Sequence, residues 1–156
     1  METPKTEQKL NAILEKTYDA QKGYANAAEN ARDEHDPNLA RWFAHQGQRR
    51  TEYAASLIGE MKNMNLEPKM DSSVKGDLHR GWLNLKLNFT SDEEEAILEE
   101  CIRGEKAAIE EYNEVLNHSE ELPPSIVNVL QAQKDEIQAT VNKIKRMEDL
   151  ADYKNI

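Results

Sequence analysis

Cysteine is nearly absent from this chain, and Cys101 is the single instance. One cysteine excludes an intrachain disulfide and any cysteine-based metal cluster. Glycine and proline are sparse too, at six and five in 156 residues. A chain so rarely interrupted favours a few long helices over many short strands. Long apolar runs are missing, and none approaches the ~18 residues of a membrane-spanning helix. The N-terminal "METPKTEQKL" lacks the apolar stretch of a secretory signal. Excess positive charge is also lacking: the net charge is −10. Such an acidic protein repels phosphate backbones and anionic lipid, so neither nucleic acid nor a membrane is the expected partner. These absences describe an acidic cytoplasmic protein whose length suits a single domain, residues 1–156, with a real core.

What is present is helical periodicity. Apolar residues recur at three- and four-residue spacing in four segments. The first runs from about 4 to 33, through Leu10, Ile13, Leu14, Thr17, Gln21, Tyr24 and Ala28. "HDPN" then breaks the chain, with Asp36 placed to cap and Pro37 to open the second helix, about 37–65. Acids in "TSDEEE" complement the dipole at the start of the third, about 92–118, and "LPPS" opens the fourth, about 124–151. Antiparallel neighbours need about 2–8 connecting residues. The connection 66–91 is far longer and predicts a crossover along the bundle, with Val74, Leu78, Trp82 and Leu85 spaced as on a short amphipathic helix. The expected fold is an all-α four-helix bundle, its second and third helices parallel.

Polar residues interrupt the inward faces. With residues placed at about 100° each, Glu105 falls in the middle of an arc holding Leu98, Cys101, Ala108, Ile109 and Tyr112. Gln46 and Arg50 lie inside the second helix's arc, with Arg49 at its edge. Gln133 lies inside the fourth, with Glu136 at its edge, and Gln21 lies beside Tyr24 in the first. Counting heights from the turns predicts one mid-bundle polar layer: Gln21, Tyr24, Gln46, Arg50, Glu105, Gln133 and Glu136.

Two chemistries fit such a layer. A binuclear iron or manganese centre needs a Glu on each of two helices and Glu-x-x-His on each of the others. The residues three before His35, His45, His79 and His118 are Arg32, Trp42, Gly76 and Val115, and none is a carboxylate. A reduced carboxylate site would have to use Glu105 and Glu136 with a further acid such as Glu29. The other chemistry needs no cofactor: Arg50, with Arg49, pairs with Glu105 and Glu136. A guanidinium grips a carboxylate in a two-pronged fork, and a buried pair of this kind sets register. That second arrangement is the expected one. Cys101 reads as a small buried hydrophobe and the tyrosines as core residues with bonded hydroxyls.

In the crossover, His79, Arg80, Gly81 and Trp82 form a compact docking motif. Gly81 permits close backbone approach, and Trp82 offers a large anchor. No Ser/His/Asp constellation, phosphate loop or dinucleotide fingerprint occurs.

The stretches "QKGYANAAE" (21–29), "QRRTEYAASL" (48–57), "GDLHRGWLNLK" (76–86) and "ECIRGEKAAIEEYNEVL" (100–116) resemble a bacterial family of uncharacterised four-helix-bundle proteins classed as ferritin-like. The resemblance covers about residues 8–150. It implies the ferritin-like fold, a cytosolic setting and an association with stress physiology, and it transfers no catalytic residue. The expectation is a non-enzymatic structural or interaction protein. The alternatives are a degenerate di-iron or manganese carboxylate protein and a small-ligand sensor using the polar layer or the HRGW surface. Long helices offer flat faces for homodimerisation.

Overall fold

The computed structural model describes residues 3–33, 36–70 and 94–154. Four helices dominate: α1 (Thr3–Asp33), α2 (Pro37–Asn63), α3 (Glu94–Leu116) and α4 (Pro124–Lys154), with a 3₁₀ turn at Ser119–Glu121 before α4. No strand occurs among the described residues. The architecture is an all-α four-helix bundle.

Local chemistry explains the helix ends. Asp36 accepts a hydrogen bond from the Leu39 backbone N–H at 3.1 Å, and Pro37 opens α2 where a missing N–H costs nothing. At the other end, Asn65 adopts a left-handed φ of 59°. Leu66 N–H donates to Met61 O and Asn65 N–H to Lys62 O, which satisfies carbonyls the helix leaves open. This is a Schellman stop built on asparagine instead of glycine. Leu66 and Met61 are both buried in the same apolar cluster, as that motif favours.

Two apolar clusters show how the helices run. One contains Leu10 and Leu14 of early α1, Leu57 and Met61 of late α2, Val115 of late α3, and Ile126 of early α4. The other contains Ala28 and Ala31 of late α1, Ala40 and Phe43 of early α2, Leu98 and Cys101 of early α3, and Ile144 of α4. Late α2 therefore lies with late α3, so these two helices are parallel and each is antiparallel to α1 and α4. The end of α2 and the start of α3 therefore lie at opposite ends of the bundle, a return of about 40 Å: α2 has 27 residues at about 1.5 Å per residue.

The first leg of that return is tied to α1. The Asn11 side chain donates to Glu67 O at 3.0 Å and accepts from Lys69 N at 2.8 Å. The Tyr18 hydroxyl donates to Lys69 O at 2.8 Å. The short helix expected around 74–85, the acidic cap at 90–93 and the HRGW motif, His79, Arg80, Gly81 and Trp82, lie outside the described residues.

Candidate functional site

Between the two apolar clusters the bundle changes character. Arg50 of α2 and Glu105 of α3 meet there at 2% and 0% exposure. The fork is two-pronged: Nη1 donates to Glu105 Oε1 at 2.7 Å, and Nη2 donates to Oε2. Tyr24 of α1 donates its hydroxyl to the same Oε2 at 2.8 Å. The guanidinium carbon lies 5.7 Å from the Tyr24 ring centroid and 5.3 Å from that of Tyr53. These are distances at which a cation is attracted by the ring face. Carboxylate, two hydroxyphenyl rings and guanidinium thus satisfy one another directly.

Electrostatics follow from this packing. Burial works against the Arg50 charge, but the Glu105 carboxylate and its hydrogen bonds raise the guanidinium's pKa above its ordinary value. Burial, then Glu105, pushes the Tyr24 phenol well up, so it stays a donor through the neutral range. Burial likewise drives the Cys101 thiol well above its ordinary value, with Glu105 adding to the effect. A thiol so held is no nucleophile at neutral pH.

The remaining predicted residues take separate places. Gln133 is buried; it accepts from the Tyr112 hydroxyl at 2.6 Å and donates to Tyr53 O at 3.2 Å. Glu136 stands at the α2–α4 rim with its side chain 49% exposed, paired with Arg49 at 36%. The Tyr53 hydroxyl donates to Glu136 Oε2 at 2.5 Å. Gln46 is buried one turn before Arg50. Gln21 turns out of the layer: its amide donates to Thr51 Oγ1 at 2.8 Å, beside a surface groove of about 340 Å³ that Ala25, Ala44 and Gly47 also line. The arginines therefore divide the acids, Arg50 taking Glu105 inside and Arg49 taking Glu136 outside. Tyr53 joins the two halves, its ring against Arg50 and its hydroxyl on Glu136. Helical angle alone does not reveal Tyr53 as that link, because an aromatic on an inner stripe reads as core.

Exposure makes the outer pair weak. Arg49→Gln is expected to cost less than about 1 kcal/mol in urea unfolding. The Tyr53 hydroxyl, then Arg49, hold the Glu136 carboxyl below its ordinary value. A depressed folded pKa stabilises above the unfolded value and is lost as pH falls through the folded one. The Arg49→Gln deficit should therefore shrink on acidification below about pH 4.

A carboxylate metal centre would need acids that converge with oxygens to spare. Both Glu105 oxygens already accept from Arg50 and Tyr24. Glu136 is half-exposed beyond Tyr53, and Glu29 is exposed on α1. Among the described residues, the one group of three His, Cys, Asp or Glu side chains with ligand atoms within 4.8 Å of one another is His118, Glu120 and Glu121. That group is exposed at the α3–α4 turn, away from the core. Glu105, Glu136 and Glu29 do not converge, and a fixed cation already neutralises the one buried acid of the three. These residues do not fit a binuclear iron or manganese centre.

The sequence pattern of one family, described as a domain of unknown function (DUF2383), matches residues 5–118. No curated protein matches the chain. The matched span holds Tyr24, Arg50 and Glu105, while Gln133 and Glu136 of α4 lie beyond it. Among the described residues, no helix is long and apolar enough to cross a membrane.

Proposed function

Because the chain belongs to the DUF2383 family, a domain of unknown function, we propose a role read from its own core. It is a cytoplasmic, ferritin-like, non-enzymatic structural or interaction module in which an Arg–Glu pair stands in place of a metal centre. The observation that carries this reading is the occupancy of Glu105: Arg50 grips both oxygens and Tyr24 binds one of them. A carboxylate so engaged would have to give up these bonds to take a metal, and Arg50 supplies the positive charge that a metal would supply in that position. Catalytic chemistry finds no foothold in the same residues. The buried thiol and the Tyr24 phenol are held protonated, and the one buried acid of the layer is already bonded.

What such a core provides is a defined register. Of the four helices, α1, α2 and α3 each contribute one member of the buried triad, so a slip of α2 or α3 by a turn would leave a charge unpaired in an apolar interior. The outer faces are then free to be charged and to carry contacts. Protein purified without chelator and analysed for metals should carry no stoichiometric iron or manganese. Stoichiometric metal that disappears in Glu105→Ala would overturn the reading.

A further inference from the structure

The ion pairs leave one surface feature unused, the groove between α1 and α2. The two helices pack against each other, and along this furrow their facing side chains are very short. Ala25 and Ala28 line it from α1, and Ala44 and Gly47 from α2. Three methyl groups and a hydrogen atom do not fill the space between the walls, so a volume of about 340 Å³ stays open. That is within the ~300–1,000 Å³ of pockets that hold small organic molecules.

The two ends of the groove differ in chemistry. At one end Gln21 donates to Thr51 Oγ1 at 2.8 Å, and the Thr51 hydroxyl donates to Gly47 O at 3.5 Å. Those groups satisfy one another and form a wall. Toward the other end stands Arg32, eleven residues on from Gln21, or about 16 Å at 1.5 Å per residue. Arg32 is the one charged residue that lines the groove. Arg49, Arg50 and Arg103 each hold a carboxylate, whereas among the described residues no carboxylate pairs with Arg32. In a chain of net charge −10, an open volume whose single charge is a guanidinium selects for an anion. Gln48, exposed on the α2 wall, adds an amide donor.

The shape limits what that anion can be. Spread over about 16 Å of helix, 340 Å³ gives a cross-section of about 20 Å², the width of one extended chain. The floor is rigid. A side chain on Gly47 would begin 3.6 Å from Tyr24 Cβ, and Tyr24 is itself fully buried. Both walls are helices, which hold a site more accurately than loops do.

We propose that this groove binds a linear amphiphilic monocarboxylate, its carboxylate on Arg32 and its alkyl chain laid along the alanines toward the Gln21–Thr51 wall. The guanidinium fork matches a carboxylate in two-pronged fashion. The alanine floor takes methylene groups out of water. An amine of the same length would bring a like charge to Arg32, and a branched body would be wider than the furrow. The site lies outside the Arg50–Glu105 core, so it stands or falls separately from the metal-free reading.

Octanoate, titrated into the full native chain and followed by calorimetry and amide NMR, is the test. One molecule should bind per chain and shift the amides of Ala28, Ala44 and Gly47. Arg32→Gln should weaken binding about tenfold, the effect of losing roughly one charge-assisted hydrogen bond. Ala44→Leu fills the furrow from an exposed position and should abolish binding at an unchanged melting temperature. Octylamine should not bind. The proposal is overturned if the native chain shows no saturable octanoate binding, if either variant binds octanoate at full strength, or if octylamine binds as well as octanoate. Dimerisation of the native chain that Ala44→Leu abolishes would also overturn it, because the groove would then seat a second copy.

Discussion

Arg50→Met is expected to lower the free energy of unfolding by about 3–5 kcal/mol. The magnitude comes from what is left behind. Methionine keeps the apolar stem of Arg50 but removes the fork. Glu105, at 0% exposure, then holds its charge against the Tyr24 hydroxyl with no guanidinium to balance it. Glu105→Gln is the converse case, leaving a guanidinium at 2% exposure without its counter-charge. It should be similarly destabilising. The double variant is the decisive measurement. With both charges gone, the desolvation that each single variant suffers disappears, and the double variant should be markedly more stable than the sum of the singles predicts. Urea midpoints at an unchanged slope would give the coupling. Strict additivity would show that the two residues do not act as a pair. The contrast with Arg49→Gln is part of the expectation: neighbouring arginines, both with carboxylate partners, differ severalfold because one pair is buried and the other exposed.

Tyr24→Ala is the second large loss, about 3–5 kcal/mol by analogy with other buried aromatic truncations. The ring is fully buried, with Trp42 edge-on at 6.3 Å and Phe43 tilted at 6.2 Å between centroids. Its Cβ also lies 3.6 Å from where a side chain on Gly47 would begin, which shows how tightly α1 and α2 close there. Alanine opens a cavity in that contact, strips a ring from the guanidinium and removes a donor from Glu105. Tyr24→Phe isolates the last of these. It should cost roughly 1.5–3 kcal/mol, the range for a hydrogen bond to a charged group. If Phe proves neutral, the hydroxyl is not needed by the ion pair. If Phe and Ala are equally damaging, packing contributes little. Thermal unfolding of the two variants separates these cases.

Much of this site is legible in one dimension. Helical angle places Arg50 and Glu105 inward, and counting from the turns puts them at one height, because an α-helix converts sequence number into height and azimuth with little error. The missing Glu-x-x-His spacing argues against a binuclear centre without any geometry. The same arithmetic fails at arc edges. Gln21 and Glu136 each lie close to an interhelical seam, and there a modest rotation decides between core and solvent. Gln21 turns to Thr51, and Glu136 turns to Arg49. Asp19 and Glu100 are hidden from sequence for a related reason. They lie away from the principal apolar stripe, and helical angle alone does not show that both are buried.

The sequence by itself determined the helices, the Asp36–Pro37 start of α2, the parallel run of α2 and α3 and the inward places of Arg50 and Glu105. These follow from short-range periodicity, from cap chemistry and from a connection too long for a hairpin. The tertiary structure decided which arginine takes which acid, that Tyr53 links the inner pair to the rim, and that Asp19 and Glu100 are buried. Those outcomes depend on the rotation of each helix about its own axis. Packing of whole faces sets that rotation, and no local run of residues contains it.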